Sequence, residues 1–317
     1  MAVMEMRLGS AGAVLGRFYA LFALLMAFTM GALAQSGALA DTFAAAFTLP
    51  RYKVGLVTAV LALVILLGGV RRIADAATVL VPVMALLYIG GGLAVILGNL
   101  RRLPEAVTLM LRCAVAPEAT LGGALGIVTR REALRWGVAR SVFSNEAGLG
   151  SAAITAACAD TDEPVKQGLI SMTGVFFDTM VICTVTGLAI CCSGTLGTAD
   201  GAGRPLTGAA LTLRAFETVL GPLAPWLIGV ALGLFAFTSV LGCAVQAETT
   251  ASYLLGPGAV RPCRVLYGLA VFAGAVIPMA TVLQLADLAN ALMAFPNLVC
   301  LLLLSGEIAG ECGRKER

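Results

Sequence analysis

The stretch FSNEAGLGSAAITAACADTDEPVKQGLISMTGVFFDT, residues 143–179, decides how this chain is read. Polar Ser144, Asn145 and Glu146 stand beside Gly148, Gly150 and Ser151 in an otherwise apolar protein. A helical run follows with a single carboxylate, Asp178, near its middle. The interior of a bilayer tolerates such groups only where they face protein or a water-filled cavity. The stretch is therefore the candidate solute site, and the flanking chain is expected to form the wall around it.

Composition supports that setting. Of 317 residues, 59% are hydrophobic and only 12% charged, against about 25% charged in soluble domains. Mean hydropathy is +0.95. Lipid removes the need for a polar exterior, so these values predict an all-α polytopic membrane protein. The apolar runs are continuous and lack the two-residue alternation of an outer-membrane barrel. At about 20 residues per crossing, the length predicts one transmembrane domain, 1–317, of about eight spans. Residues 1–16 are a flank without the order of a signal peptide, and 306–317 form a basic tail.

Charge and cysteine usage exclude other classes. A net charge of +3, with no basic stripe carrying aromatics, gives no support for a nucleic-acid partner. Nine cysteines fall mostly in apolar runs without a C-x-x-C pair and read as small buried hydrophobes. There is no histidine, which removes histidine proton relays and Ser-His catalysis. With no H-E-x-x-H or paired-Asp motif, the chain is not expected to be an enzyme, and no cofactor is expected.

Along the chain, uncharged runs predict spans at 18–40, 54–69, 76–98, 223–246, 265–280 and 288–305, and 167–193 reads as a span whose only charge is Asp178. A further long run covers 133–158. Residues 208–220 read as an amphipathic piece before Pro222. Residues 104–132 are ambiguous: either a span broken at Gly122-Gly123, or a surface helix with a re-entrant segment. Arg7, Arg17, Arg71 and Arg72 share one side if the first two spans form a hairpin, and that side is assigned as cytoplasmic.

The candidate residues carry alternatives. Asp178, ionised at mid-span, costs about 2.5–3.5 kcal/mol on insertion scales. A bound cation, an ammonium group or a proton would offset that cost. Thr179 beside it supplies a hydroxyl oxygen suited to a hard cation such as Na⁺; the plainer alternative is a carboxylate hydrogen-bonded to a neighbouring broken helix. Glu146 belongs either to the pathway or to a salt bridge with Arg140 or Arg135. Gly148 and Gly150 suggest unwound backbone or close helix approach. Gly122 and Gly123 either interrupt a helix, exposing backbone groups to substrate, or form a loop. Thr238 and Ser239 either line a cavity as ion ligands or bond back to carbonyls one turn earlier. Gly90, Gly91 and Gly92 read as helix-packing positions or turns.

FSNEAGLGSA (143–152), P-V-x-QGL (164–169) and VFFDTMVICTVTGL (175–188) together resemble the alanine or glycine:cation symporter family, the sodium:alanine symporters. GGVRRIAD (68–75), LVPVMALLYI (80–89) and LADLANALMAFPNLVCLLLLS (285–305) extend the likeness along the chain. The resemblance implies a leucine-transporter-like fold of two inverted repeats, and uptake of alanine or glycine driven by Na⁺, with H⁺ as the other candidate coupling ion. It implies a place in the cytoplasmic membrane and a small-molecule amino-acid partner. Gln35, Gly122, Gly123, Asn145 and Asp178 are then the expected substrate ligands. Asp178, Thr179, Thr238 and Ser239 are the expected ion ligands, and Ser144, Glu146 and Gly148 the gate or pathway. The resemblance also implies further helical segments ahead of Met1, including a Gly-Thr-Gly-Asn element, so the chain reads as N-terminally truncated. A non-transporting fragment, or half of a split transporter, is the alternative.

Overall fold

The computed structural model describes residues 1–115, 130–146, 148–161, 163–199, 203 and 205–314. They form helices joined by short turns. Helix α1, Ala2–Phe47, runs unbroken except for a kink at Gly9 and a π-helical segment, Ala27–Ala34. It ends at Thr48, which adopts the left-handed conformation and donates its N–H to the Ala44 carbonyl, 3.0 Å. Pro50, extended, then starts α2, Arg51–Leu67. Gly69, at φ +76°, turns the chain into α3, Gly69–Gly98.

A 3-10 turn, Leu100–Arg102, leads into the amphipathic α4, Leu103–Val115. Helix α5, Arg130–Asn145, and the short α6, Ser151–Ala156, flank the polar stretch. Helix α7, Pro164–Ser193, has proline in its first turn, where the missing N–H is harmless. It ends at Gly194 in the left-handed region. Helix α8, Gly208–Leu220, matches the expected amphipathic piece residue for residue. Then come α9, Pro225–Leu255, α10, Val260–Val276, and α11, Met279–Arg314. Ile277 is extended before Pro278, as a pre-proline residue prefers, and this ends α10.

Six of these helical runs are long and apolar enough to cross a membrane: α1, α3, α7, α9, α11, and the run containing α10. The chain is thus an all-α, multi-pass membrane protein. Helices run past the uncharged stretches, and several of the charges inside them find partners. Arg7 meets Glu307, and Glu5 accepts from the Tyr253 hydroxyl at 3.0 Å. Arg51 pairs with Asp41 at 3.0 Å and caps the Ala275 carbonyl of α10 at 3.0 Å.

Small residues set the close crossings, as expected without a hydrophobic drive between helices. A Cβ on Gly274 would lie 2.3 Å from the Leu33 carbonyl oxygen, so α10 and α1 pack backbone against side-chain-free backbone. A Cβ on Gly92 would meet Val185 at 2.2 Å, which makes this glycine a packing position between α3 and α7. Tyr88 and Thr186 tie the same two helices through a 2.8 Å hydroxyl contact. The main core lies between α1, α2, α9 and α10 around Tyr267, Val271, Val240 and Leu66. A second cluster joins α1 and α11 to the polar stretch through Tyr19, Met26, Met293 and Leu149.

A candidate solute site at a helix break

The stretch between Asn145 and Ser151 is a true interruption of the helix. Glu146, Gly148 and Gly150 take φ of +54°, +80° and +79°. Glycine accepts this region freely, whereas a side chain there costs about 1–2 kcal/mol. Glu146 holds the position that usually ends a helix with glycine, and its N–H returns to the Val142 carbonyl at 3.0 Å. The Leu149 N–H then reaches the Glu146 carbonyl at 3.1 Å. Backbone groups at such a break are freed from the helical ladder and need other partners.

The break is held from two sides. Asn297 of α11 donates its side-chain N–H to the Gly148 carbonyl at 2.9 Å. A Cβ on Gly150 would lie 2.6 Å from the Asn297 oxygen and 2.8 Å from the Tyr19 hydroxyl. Only glycine fits there, for both space and φ. Leu149 is buried among Tyr19, Met26 and Met293. The Ser151 hydroxyl donates to the Glu146 carboxylate. Arg140, one helical turn before the break, pairs with Asp287 of α11. Its guanidinium also stacks 4.9 Å from the Phe143 ring.

Opposite the break, α7 passes with its π-helical segment, Phe177–Ile182. Such one-turn widenings recur where a side chain must be re-aimed. Here the segment carries Asp178 and Thr179 toward α5. Ser144 donates its hydroxyl to the Asp178 carboxylate at 3.1 Å, and Asn145 donates its amide to the Thr179 hydroxyl at 2.9 Å. Two consecutive residues at the end of α5 thus meet two consecutive residues of α7. The cluster gathers a carboxylate, two hydroxyls and an amide oxygen, a donor set suited to a hard cation or an ammonium group.

The other sequence-derived candidates are placed as follows. Glu146 bonds Ser151 and not Arg140, whose partner is Asp287. The Thr238 hydroxyl bonds back to the Leu234 carbonyl at 2.9 Å and touches the Met84 sulfur at 3.7 Å. Ser239 and Gln35 are half-buried on α9 and α1 and make no side-chain hydrogen bond among the described residues. Gly122 and Gly123 lie outside the described residues. Eight of the described cysteines are free thiols, and no cluster of metal-ligating side chains occurs among the described residues.

Three residues of α11 belong to this neighbourhood although local sequence features did not single them out. Asp287 and Asn297 hold α5 and the break, and Asn290 is buried beside Met30 with its oxygen unpartnered among the described residues. Their spacing, with Asn290 three residues after Asp287 and Asn297 seven further on, is a polar stripe on one face of an apolar helix. That stripe was the available signal. Tyr19, whose buried hydroxyl lacks a partner among the described residues, had none beyond its residue type.

Comparison with known proteins agrees with this architecture. The sequence profile of the sodium:alanine symporter family matches residues 1–313. An uncharacterized transporter of Haemophilus influenzae is 41% identical over 91% of this chain and 62% of its own length. The sodium/alanine symporter AgcS of Methanococcus maripaludis is 38% identical over 95% of this chain and 64% of its own. A probable sodium/glutamine symporter, GlnT, of Bacillus subtilis is 37% identical over 90% and 59%. The chain therefore spans about three-fifths of the length of the curated relatives it matches. It belongs to the sodium:alanine symporter family.

Proposed function

We propose that this chain serves sodium-coupled symport of a small neutral amino acid, alanine or glycine, across the cytoplasmic membrane. The observation that carries the reading is the double pairing across the helix break, Ser144 with Asp178 and Asn145 with Thr179. An acidic side chain at mid-helix in a span is costly unless it meets a cation or a fixed donor. Here the donor is a serine hydroxyl on an adjacent broken helix, an arrangement that exchanges easily for a bound ion. In this reading Asp178 and Thr179 coordinate Na⁺, with Thr238 and Ser239 as further oxygen ligands. Asn145 and Gln35 bind the amino acid. Glu146, Ser144 and Gly148 line the pathway, where a change at the break opens and closes it. Relatives named as sodium/alanine and sodium/glutamine symporters support the substrate class and the coupling ion.

Uptake of tritiated alanine into proteoliposomes tests the proposal. An inward Na⁺ gradient should drive accumulation, with a proton gradient alone as the comparison for the coupling ion. Competition by unlabelled glycine and glutamine sets the substrate. Uptake equal to that of empty liposomes would overturn the claim for this chain and leave the alternative of a non-transporting or half-transporter role.

A further inference from the structure

A cavity of about 320 Å³ lies far from the helix break, where the 3-10 turn and α4 meet the end of α7. Arg102, Glu105, Ala106, Leu109, Cys191 and Gly194 line it. Its size falls at the lower end of the range for small-ligand sites, about 300–1,000 Å³. Along α7, Cys191 is thirteen residues beyond Asp178, or about 20 Å at 1.5 Å per residue. The cavity is thus separate from the candidate solute site.

Its two charges are opposite, share one cavity, and do not pair with each other. Arg102 makes one hydrogen bond, from Nη1 to the Ser193 carbonyl at 3.4 Å, and Glu105 makes none among the described residues. A guanidinium carries five N–H donors in a planar fork that matches a carboxylate or phosphate, so most of this fork is unused. Gly194 secures the space: a Cβ there would sit 2.6 Å from Arg102 Nη1. Ala106, beside Glu105, and Leu109, one turn further along α4, add an apolar part of the wall.

We propose that this cavity binds a zwitterion, with the anionic group on Arg102, the ammonium group on Glu105 and the remaining carbons against Ala106 and Leu109. Two sources supply that chemistry: a free α-amino acid from the water phase, and the ethanolamine phosphate headgroup of a bilayer lipid. The location at the end of a membrane-spanning helix gives access to both. The site stands independently of whether the chain itself transports.

Cys191, a half-buried free thiol in the cavity wall, is a built-in reporter. The purified full chain is placed in nanodiscs and labelled with a methanethiosulfonate reagent, and labelling is followed per cysteine by peptide mass spectrometry. Exposed Cys158 is the reference. One arm adds L-alanine to phosphatidylglycerol nanodiscs; the other replaces part of that lipid with phosphatidylethanolamine. Protection should follow 1 + [L]/Kd, about fourfold at three times Kd. Slowing of Cys191 by alanine identifies the free amino acid, and slowing by phosphatidylethanolamine identifies the headgroup. In either case Glu105→Gln and Arg102→Gln should abolish the protection, whereas Asp178→Asn should keep it. Glu105 makes no side-chain hydrogen bond or ion pair among the described residues, so its variant is the second test if Arg102→Gln fails to express. No slowing by either probe, or protection that survives Glu105→Gln, would overturn the proposal.

Discussion

At the scale of single residues, Glu146 is the most constrained side chain at the break. It sits at φ +54°, and its carboxylate accepts the Ser151 hydroxyl. These two facts pull in opposite directions, because the backbone favours glycine while the carboxylate has a buried partner. Ser151→Ala removes only the partner, which costs about 1–3 kcal/mol where the remaining group is buried. Glu146→Gly removes the carboxylate and relieves the backbone together. Thermal unfolding in detergent should therefore place Ser151→Ala below the parent and Glu146→Gly at or above it; the reverse order would show that the backbone cost is minor. Asp178 and Ser144 make a second pair of predictions, on uptake. Asp178→Asn removes the charge and should lower Na⁺-driven alanine uptake at least about tenfold, a change of 1.4 kcal/mol. Ser144→Ala leaves the charge but removes its donor. It should raise the Na⁺ concentration needed for half-maximal uptake less than Asp178→Asn does. Full uptake by Asp178→Asn would remove Asp178 from the mechanism.

At the scale of elements, the hairpin of α9 and α10 carries a buried ion pair, Glu248 with Arg264. Both contacts are short, 2.7 and 2.8 Å, with Glu248 and Arg264 only 9% and 18% exposed. Removing one partner strands the other, at about 3–5 kcal/mol, whereas replacing both by apolar groups is often neutral. Glu248→Ala and Arg264→Ala should each lower the unfolding temperature clearly, and Glu248→Met with Arg264→Met should recover most of the loss. A double variant as unstable as the sum of the singles would mean that the two side chains act independently and not as a coupled pair. The same hairpin shows what local sequence reveals. The apolar run of α9 was legible, but its expected end at 246 fell short of Leu255, because Glu248 reads as a stop in hydropathy and its partner lies one helix away. Likewise α1 was expected over 18–40 but extends over Ala2–Phe47, where Glu5, Arg7 and Asp41 are each paired. Hydropathy marks depth in the membrane rather than helix ends. At the site, Ser144, Asn145, Asp178 and Thr179 were visible as polar residues in apolar surroundings. Their pairing, and the contact of Arg140 with Asp287 across 147 positions, depend on how helices cross, which no local pattern encodes.

At the scale of the whole molecule, burial is uneven. In the most apolar window of α9, 56% of residues are buried, against 11% for α7. From Pro164 to Ile182, α7 buries no residue at all. Among the described residues, its links to α5 across the break include the two hydrogen bonds of Ser144 and Asn145. An element held by few apolar contacts and a few polar bonds opens at low free energy, while the element at the centre of the core opens only with the whole fold. The polar stretch therefore lies on the part of the molecule best able to move, and α9 with α10 forms the fixed frame. Hydrogen exchange in detergent should separate the two. Amides of α5, α6 and the first half of α7 should exchange well before those of α9 and α10. If the break binds cation and amino acid, Na⁺ with alanine should slow exchange at 142–151 and 177–182 and leave α9 unchanged beyond Val240. Binding adds stability as RT ln(1 + [L]/Kd), about 2.7 kcal/mol at a hundred times Kd, so the slowing should reach about a hundredfold where exchange proceeds from the unbound state. Uniform exchange across all helices, or ligand protection centred on α9, would show that the mobile half lies elsewhere.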